Sequence, residues 1–287
     1  MSTPLTSPGQ VVADGLVFTE VPRWHDGELW FGDMHSGSIF RVDAAGELHE
    51  VVTLGEHSGG IGWLPDGSLL VVACHSRRLL RFSDGKLTVH ADLGDTGTAD
   101  LNDLWVDSQG RAYVGDMGFD VHAFGRLMVE GRAEEAMGLV RPSNVFLVRP
   151  DGSFIAAGPT PMMFPNGIVV DEAAQELVVA ESFGLKLSIW PIREDGTLGA
   201  GRDLADLGFA PDGISLDASG GVWVADPSGC RVVLVDRDGQ PVREIATEHK
   251  SLSVAVGDDC VYVATSPVTD PSETAALRAA RIERFTL

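Results

Sequence analysis

Short apolar runs recur along this chain, and each is introduced by a small polar residue. FPNGIVVD (164–171), APDGISLD (210–217) and DLNDLWVD (100–107) share the device. None shows the i, i+3, i+4 spacing of an amphipathic helix; they alternate or run apolar as packed strands do. The full unit is a polar position, an apolar strand, a turn rich in Asp and Gly, and a second apolar strand. It begins at Glu20 (EVPRWHDGELWFGD), Gly60 (GIGWLPDGSLLVVAC), Asn102 (NDLWVDSQGRAYVGD), Asn166 (NGIVVDEAAQELVVAE), Asp212 (DGISLDASGGVWVAD) and, most weakly, Leu252 (LSVAVGDDCVYVAT). Successive copies start 40, 42, 64, 46 and 40 residues apart. A repeat of this length built from short strands predicts an all-β, six-bladed β-propeller in which each copy is one four-stranded blade.

The remaining strands fit the same plan. Third strands are GSIFRVD, RRLLRFS, SNVFLVRP, KLSIWPI, CRVVLVD and AARIERF; fourth strands follow Gly turns in GELHEVV, GKLTVHADL, GSFIAAG and GQPVREIA. The sixth copy ends at Leu287 without a fourth strand, and GQVVADGLVF (9–18) is the candidate that closes it, removing an exposed sheet edge. One propeller domain over residues 1–287 is expected. The long third interval contains an irregular segment, 120–144, read as an inserted loop, hairpin or lid over one face.

In a propeller the first strand of each blade lines the central channel, so equivalent positions form a ring. The first column of the repeat reads Glu20, Gly60, Asn102, Asn166, Asp212, Leu252. Four of these six carry a carboxylate or amide oxygen, although Asn-Gly and Asp-Gly pairs taken singly are ordinary turn signals. Oxygen donors of this kind suit a hard divalent cation such as Ca²⁺, Mg²⁺ or Mn²⁺, and Zn²⁺ or Fe²⁺ at low coordination number. With few protein donors, such an ion keeps positions open for water or substrate. A second column closes the second strand: Asp33, Cys74, Asp116, Glu181, Asp226, Thr265. It reads as an outer acidic ring, as braces for backbone amides, or as plain strand-end turns.

Composition narrows the partners. The formal charge is −21, from 42 acidic against 21 basic residues. That balance repels nucleic acid and anionic membrane surfaces and suits a soluble protein or one that holds a cation, although a solvated acidic surface explains most of the charges. The three cysteines, Cys74, Cys230 and Cys260, lie far apart and indicate neither a disulfide framework nor a thiolate metal site. The start, MSTPLTSPGQ, lacks the basic and apolar regions of a secretory leader, and no stretch is long and apolar enough to span a bilayer. A cytoplasmic protein, monomeric or a weak dimer, is expected.

Taken in order, Glu-x-Pro-x-Trp (Glu20, Pro22, Trp24), Asn-Asp (Asn102, Asp103), Pro-Asn-Gly (Pro165 to Gly167) and Pro-Asp-Gly (Pro211 to Gly213) resemble the gluconolactonase/regucalcin (senescence marker protein) family, from about Gly15 to Leu287. The resemblance implies a six-bladed propeller with one divalent cation in the channel, calcium first among the candidates, and hydrolysis of lactones. It implies Glu20, Asn166 and Asp212 as metal ligands and Asn102 as a residue facing substrate. The family's sugar-lactone hydrolases place an Arg two residues before that Asn; here the position is Asp100. Asp120 matches an acidic residue that follows the Met of blade three. With Met117, Phe119 and Phe164 at the channel mouth, the expected substrate is a lactone or related ester less polar than an aldonolactone.

The expected chemistry follows. The cation polarises the carbonyl and acidifies a water; Asp212 serves as general base or as nucleophile, and Asn102 hydrogen-bonds substrate or water. The alternatives are an organophosphate or aryl-ester hydrolase on the same site and a non-enzymatic calcium-binding propeller.

Overall fold

The structure is a computed structural model describing residues 3–5, 9–97 and 99–287. The start of the chain, read above for a leader, lies partly outside these residues. Six antiparallel sheets succeed one another along the chain. Blade one comprises Thr19–His25, Glu28–Asp33, Ser38–Val42 and Leu48–Thr53; blade two, Ser58–Trp63, Leu69–Ala73, Arg78–Ser83 and Lys86–Asp92. Blade three comprises Leu101–Val106, Ala112–Asp116, Val145–Val148 and Phe154–Ala156; blade four, Pro165–Asp171, Glu176–Glu181, Lys186–Pro191 and Arg202–Asp206. Blade five is Ile214–Leu216, Val222–Asp226, Arg231–Val235 and Pro241–Ala246. Blade six is Lys250–Val256, Cys260–Ser266 and Ala280–Thr286, closed on its outer edge by Gln10–Leu16. The closing strand pairs antiparallel with the chain end, Gln10 opposite Arg284 and Val11 opposite Glu283. The six-bladed propeller expected from the repeat is therefore observed, with its ring shut by the N-terminal strand.

The apolar residues of each strand face a neighbouring blade, and the core is accordingly divided. Leu70, Val72 and Leu79 of blade two pack with Leu104, Val114 and Val148 of blade three. Tyr113 and Leu147 meet Ile168 and Leu177 between blades three and four. Equivalent clusters join blades four and five, five and six, six and one, and one and two. Burying both faces of each sheet explains why so many strands read as continuous apolar runs rather than strict alternations.

Three features differ from the sequence pattern. Thr3–Leu5 adds a parallel strand to the outer edge of blade five, opposite Arg243 to Ile245. The inserted segment carries two short helices, α1 (Val121–Val129) and α2 (Ala133–Met137). A third, α3 (Pro271–Leu277), lies between the second and third strands of blade six, with Pro271 in its first turn and the Asp270 carboxylate capping Ser272 N. Helices this short leave little periodicity to read, and they gain their stability from packing rather than propensity. Among the described residues no helix is long and apolar enough to cross a membrane.

Candidate active site

The inner strands converge so tightly at one end that side chains must be omitted there. A β-carbon on Gly60 would stand 2.0 Å from the amide nitrogen of Leu104, and one on Gly167 would stand 2.6 Å from the carbonyl oxygen of Asp212. One on Gly213 would meet Ser253 Cβ at 2.5 Å. Gly167 of the Asn-Gly pair and Gly213 of the Asp-Gly pair in the first column are thus sites of backbone approach between blades, not the corners of hairpins. The neighbouring Asn or Asp is left to face the channel.

Irregular pairing helps to aim these side chains. Register shifts occur between Glu20 and Arg23, Ser58 and Ile61, Leu101 and Leu104, Pro165 and Ile168, and Ser251 and Ser253. Bulges of this kind turn a residue off the pleat and increase local twist. Val21 and Phe164 hold positive φ angles of 47° and 59° beside Glu20 and Asn166. For such side chains this is a strained backbone conformation, maintained by the surrounding packing.

Glu20, Asn102, Asn166 and Asp212, spread over four blades, line one cavity of about 440 Å³. Asn102 Nδ2 donates to Asn166 Oδ1 at 2.9 Å, and Asn166 Nδ2 donates to Ser182 Oγ at 3.1 Å. Ser182 Oγ in turn donates to the Pro211 carbonyl at 2.6 Å. The Glu20 carboxylate accepts from the Val21 amide at 3.1 Å. Close by, Asp103 Oδ1 pairs with Arg23 Nη2 at 2.7 Å, both side chains at most 7% exposed. Asp103 also accepts from the amides of Leu104 and Ile168.

Three largely buried carboxylates therefore gather here, with the Arg23 guanidinium acting on Glu20 and Asp103. Burial raises all three above the ordinary carboxylate range, and Asp212 reaches about 7. The Asp212 charge holds Glu20 up further, and the Asp103 charge acts on both. Carboxylates raised by desolvation and mutual repulsion fit a divalent cation, which would offset the excess charge at once. Glu20, Asn166 and Asp212 are the donors suited to such an ion. Among the described residues no group of three or more His, Cys, Asp and Glu is gathered to hold a metal; this set has two carboxylates and an amide.

Of the other expected residues, Asp100, Met117 and Phe164 also line the cavity. Phe119 and Asp120 are not brought to it. The Asp120 carboxylate caps α1 by accepting from Ala123 N at 2.7 Å, and Phe119 is buried behind the wall against Phe124, Phe164 and Phe183. Both border an adjoining cavity of about 220 Å³ with His75, Asp100 and His122. Asp100 accepts from His75 Nδ1 at 2.6 Å.

The second column resolves into braces. Asp33 accepts from the amides of Val17 and Phe18, Glu181 from Met163, and Asp226 from Gly229. Asp116 pairs with Arg77 at 2.6 Å and caps Gly118 N at 2.7 Å. Two of these, Asp33 and Glu181, tie down the segments leading to Glu20 and Asn166.

The repeat does not reveal Phe18, Met34, His35, His57, Phe124 and Phe183, which complete the cavity wall. They come from loops, the edges of strands and α1. The apolar character of those loops signals only the four apolar ones, Phe18, Met34, Phe124 and Phe183.

The chain matches the family model described as the SMP-30/gluconolactonase/LRE-like region over residues 18–265. It is 28% identical over 258 residues to the pentonolactonase XacC of Haloferax volcanii, covering 86% of this chain and 81% of that one. It is 27% identical over 272 residues to a 6-deoxy-6-sulfogluconolactonase of Pseudomonas putida, covering 89% and 86%. Among solved structures, regucalcin of Agrobacterium tumefaciens, a calcium-binding protein, superposes with a TM-score of 0.79 at 18% identity over 100% of this chain and 96% of that one.

Proposed function

This chain belongs to the SMP-30/gluconolactonase/LRE-like family, and from that premise we propose that it is a metal-dependent hydrolase that opens lactone rings at the channel mouth. The observation that carries the reading is the convergence of Glu20, Asn166 and Asp212 on one cavity, with more negative charge than Arg23 can offset. The names of the relatives, two lactonases and a calcium-binding protein, point the same way.

A divalent cation, when bound, supplies Lewis-acid polarisation of the substrate carbonyl and a more acidic water. The chain's own residues do the rest. Glu20 and Asn166 hold the ion with Asp212. Asp212, whose carboxyl is raised to about 7 in the metal-free site, is the general base that takes a proton from the attacking water. Asn102 Nδ2 is the donor offered to a substrate oxygen.

The substrate class follows from the walls. Phe18, Phe124, Phe164 and Phe183 with Met34 and Met117 face the polar ring across the cavity, and position 100 carries Asp rather than a cation. A lactone with an alkyl or aryl arm buries that arm against the aromatic wall, while the polar lining, Asp100, His57, His122 and Arg126 included, meets the ring end. The same wall accommodates an aryl ester, the second reading. Hydrolysis of a lactone and ester panel by metal-stripped protein, with ions added back, tests the proposal.

A further inference from the structure

Four of the chain's eight histidines meet at the channel mouth. The ring of His57 lies 4.9 Å from that of His35, 4.5 Å from that of His75 and 6.0 Å from that of His122. His57 lines the inner cavity with Glu20, Asn102 and Asp212; His75 lines the adjoining outer one; Asp100 borders both. The row His57–His75–Asp100 therefore crosses from one cavity to the other.

The backbone fixes this row. The His57 carbonyl accepts from the Cys74 amide at 3.0 Å, and the Cys74 carbonyl accepts from the Leu101 amide at 3.2 Å. Glu56, beside His57, accepts from the Ser76 amide, beside His75, at 2.6 Å. At the outer end the 2.6 Å bond to Asp100 fixes a proton on His75 Nδ1 and leaves Nε2 as an acceptor. The His75 side chain is 44% exposed and that of Asp100 28%, so this end meets solvent.

Lactone opening sets a demand that such a row meets. Water adds to the carbonyl carbon, the ring C–O bond breaks, and one water proton ends on the released alcohol. The new carboxylic acid then ionises, so each turnover leaves one further proton in a cavity walled by buried carboxylates. We propose that His57, His75 and Asp100 form a proton relay that carries this product proton out to solvent. The inference rests on the lactonase reading. His57 accepts the proton on its free ring nitrogen and passes one to His75 Nε2. The resulting imidazolium is held opposite the Asp100 carboxylate until buffer takes its proton. The groups facing His57 are His35, His75, His122, Asp100 and Glu56. The neighbouring imidazoles disfavour a charge that stays on His57 and so favour its passage toward Asp100. His35, stacked on Phe18 at 4.2 Å and bonded to Thr274, is depressed by burial to about 3 and stays neutral beside the row.

The test is kcat for the preferred lactone as a function of buffer concentration at constant pH and ionic strength, in wild type, His57→Gln and His75→Gln. His75 is half exposed, so its variant keeps the test alive where His57→Gln fails to fold. The relay predicts a fall in kcat of about tenfold or more at low buffer, of the order a proton-transfer group contributes. KM is unchanged, and added imidazole restores the rate. Asp100→Asn lowers kcat at low buffer in the same way, because His75 loses the hydrogen-bond partner that orients it. Equal loss at every buffer concentration, a change in KM alone, or no change in either His variant overturns the relay. Wild type that opens no lactone withdraws the hydrolase reading and the relay together, a failure visible before any variant is made.

Discussion

Asn102 and Asn166, 64 positions apart in the sequence, share a 2.9 Å hydrogen bond across the channel mouth, with Asp212 beside them. The amide of one blade thus positions that of the next, and the Asn166 amide in turn bonds the Asp212 carboxylate of a third. Asp212→Asn keeps the shape of this corner but removes the proposed base and one proposed ligand charge. It is expected to lower kcat by at least about a hundredfold, the scale of general-base catalysis, with an unaltered circular-dichroism spectrum. Calorimetry should show weaker cation binding in the same variant. Near-wild-type turnover at saturating metal excludes Asp212 as the base.

The raised Asp212 group also fixes a pH dependence. Its folded value of about 7 lies above the ordinary 3.8, so the metal-free fold binds this proton more tightly than the unfolded chain does. Its contribution to stability is fully present below about pH 4 and is lost as pH rises through about 7. Thermal unfolding of metal-free wild type and Asp212→Asn should therefore diverge over this window, wild type losing ground as pH rises. Cation affinity runs the other way, rising about tenfold per pH unit for each proton displaced until Asp212 is ionised. A flat pH profile of affinity between 5 and 7 contradicts this assignment.

Among the described residues Arg23 is the one cation paired with Asp103, and its Nη2 also donates to the Leu104 carbonyl at 2.9 Å. Arg23→Met leaves a buried carboxylate beside Glu20 and Asp212 without its partner. A loss of about 3–5 kcal/mol in urea unfolding is expected, as for other broken buried pairs. Addition of Asp103→Leu to that variant should recover part of the loss.

Gly60→Ala tests the convergence of the inner strands. The new methyl group meets main chain at 2.0 Å, which cannot yield as a flexible side chain can. The substitution should cost about 1–3 kcal/mol by overpacking and disturb Asn102 through its neighbour Asp103. Gly46→Ala, at a positive φ of 86° in open space, is the contrasting case and reports backbone strain without a clash.

The ring could be read from sequence because a propeller repeats the same position at the same place on its axis. Glu20, Asn102, Asn166 and Asp212 stand in one column although they are 192 positions apart at the extremes. The role of their glycines could not be read, since Asn-Gly and Asp-Gly look the same in a hairpin corner and at a close approach between blades. Asp103 follows Asn102 directly, yet its partner Arg23 is three residues past Glu20 in another blade, and no local pattern links them. The cavity wall was only partly visible: His57 and Phe183 sit on connections outside the repeat. Asp120 shows the reverse case, since the residue that matched a family pattern is seen capping a helix beside the adjoining cavity.

The central claim is tested most directly by hydrolysis of sugar, alkyl and aryl lactones by EDTA-stripped protein, with Ca²⁺, Mg²⁺, Mn²⁺, Zn²⁺ and Fe²⁺ each added back. The account predicts no turnover when stripped, recovery with a divalent cation, and preference for lactones carrying an apolar arm over sugar lactones. Turnover undiminished by stripping, or no hydrolysis of any lactone with any of these ions, contradicts it.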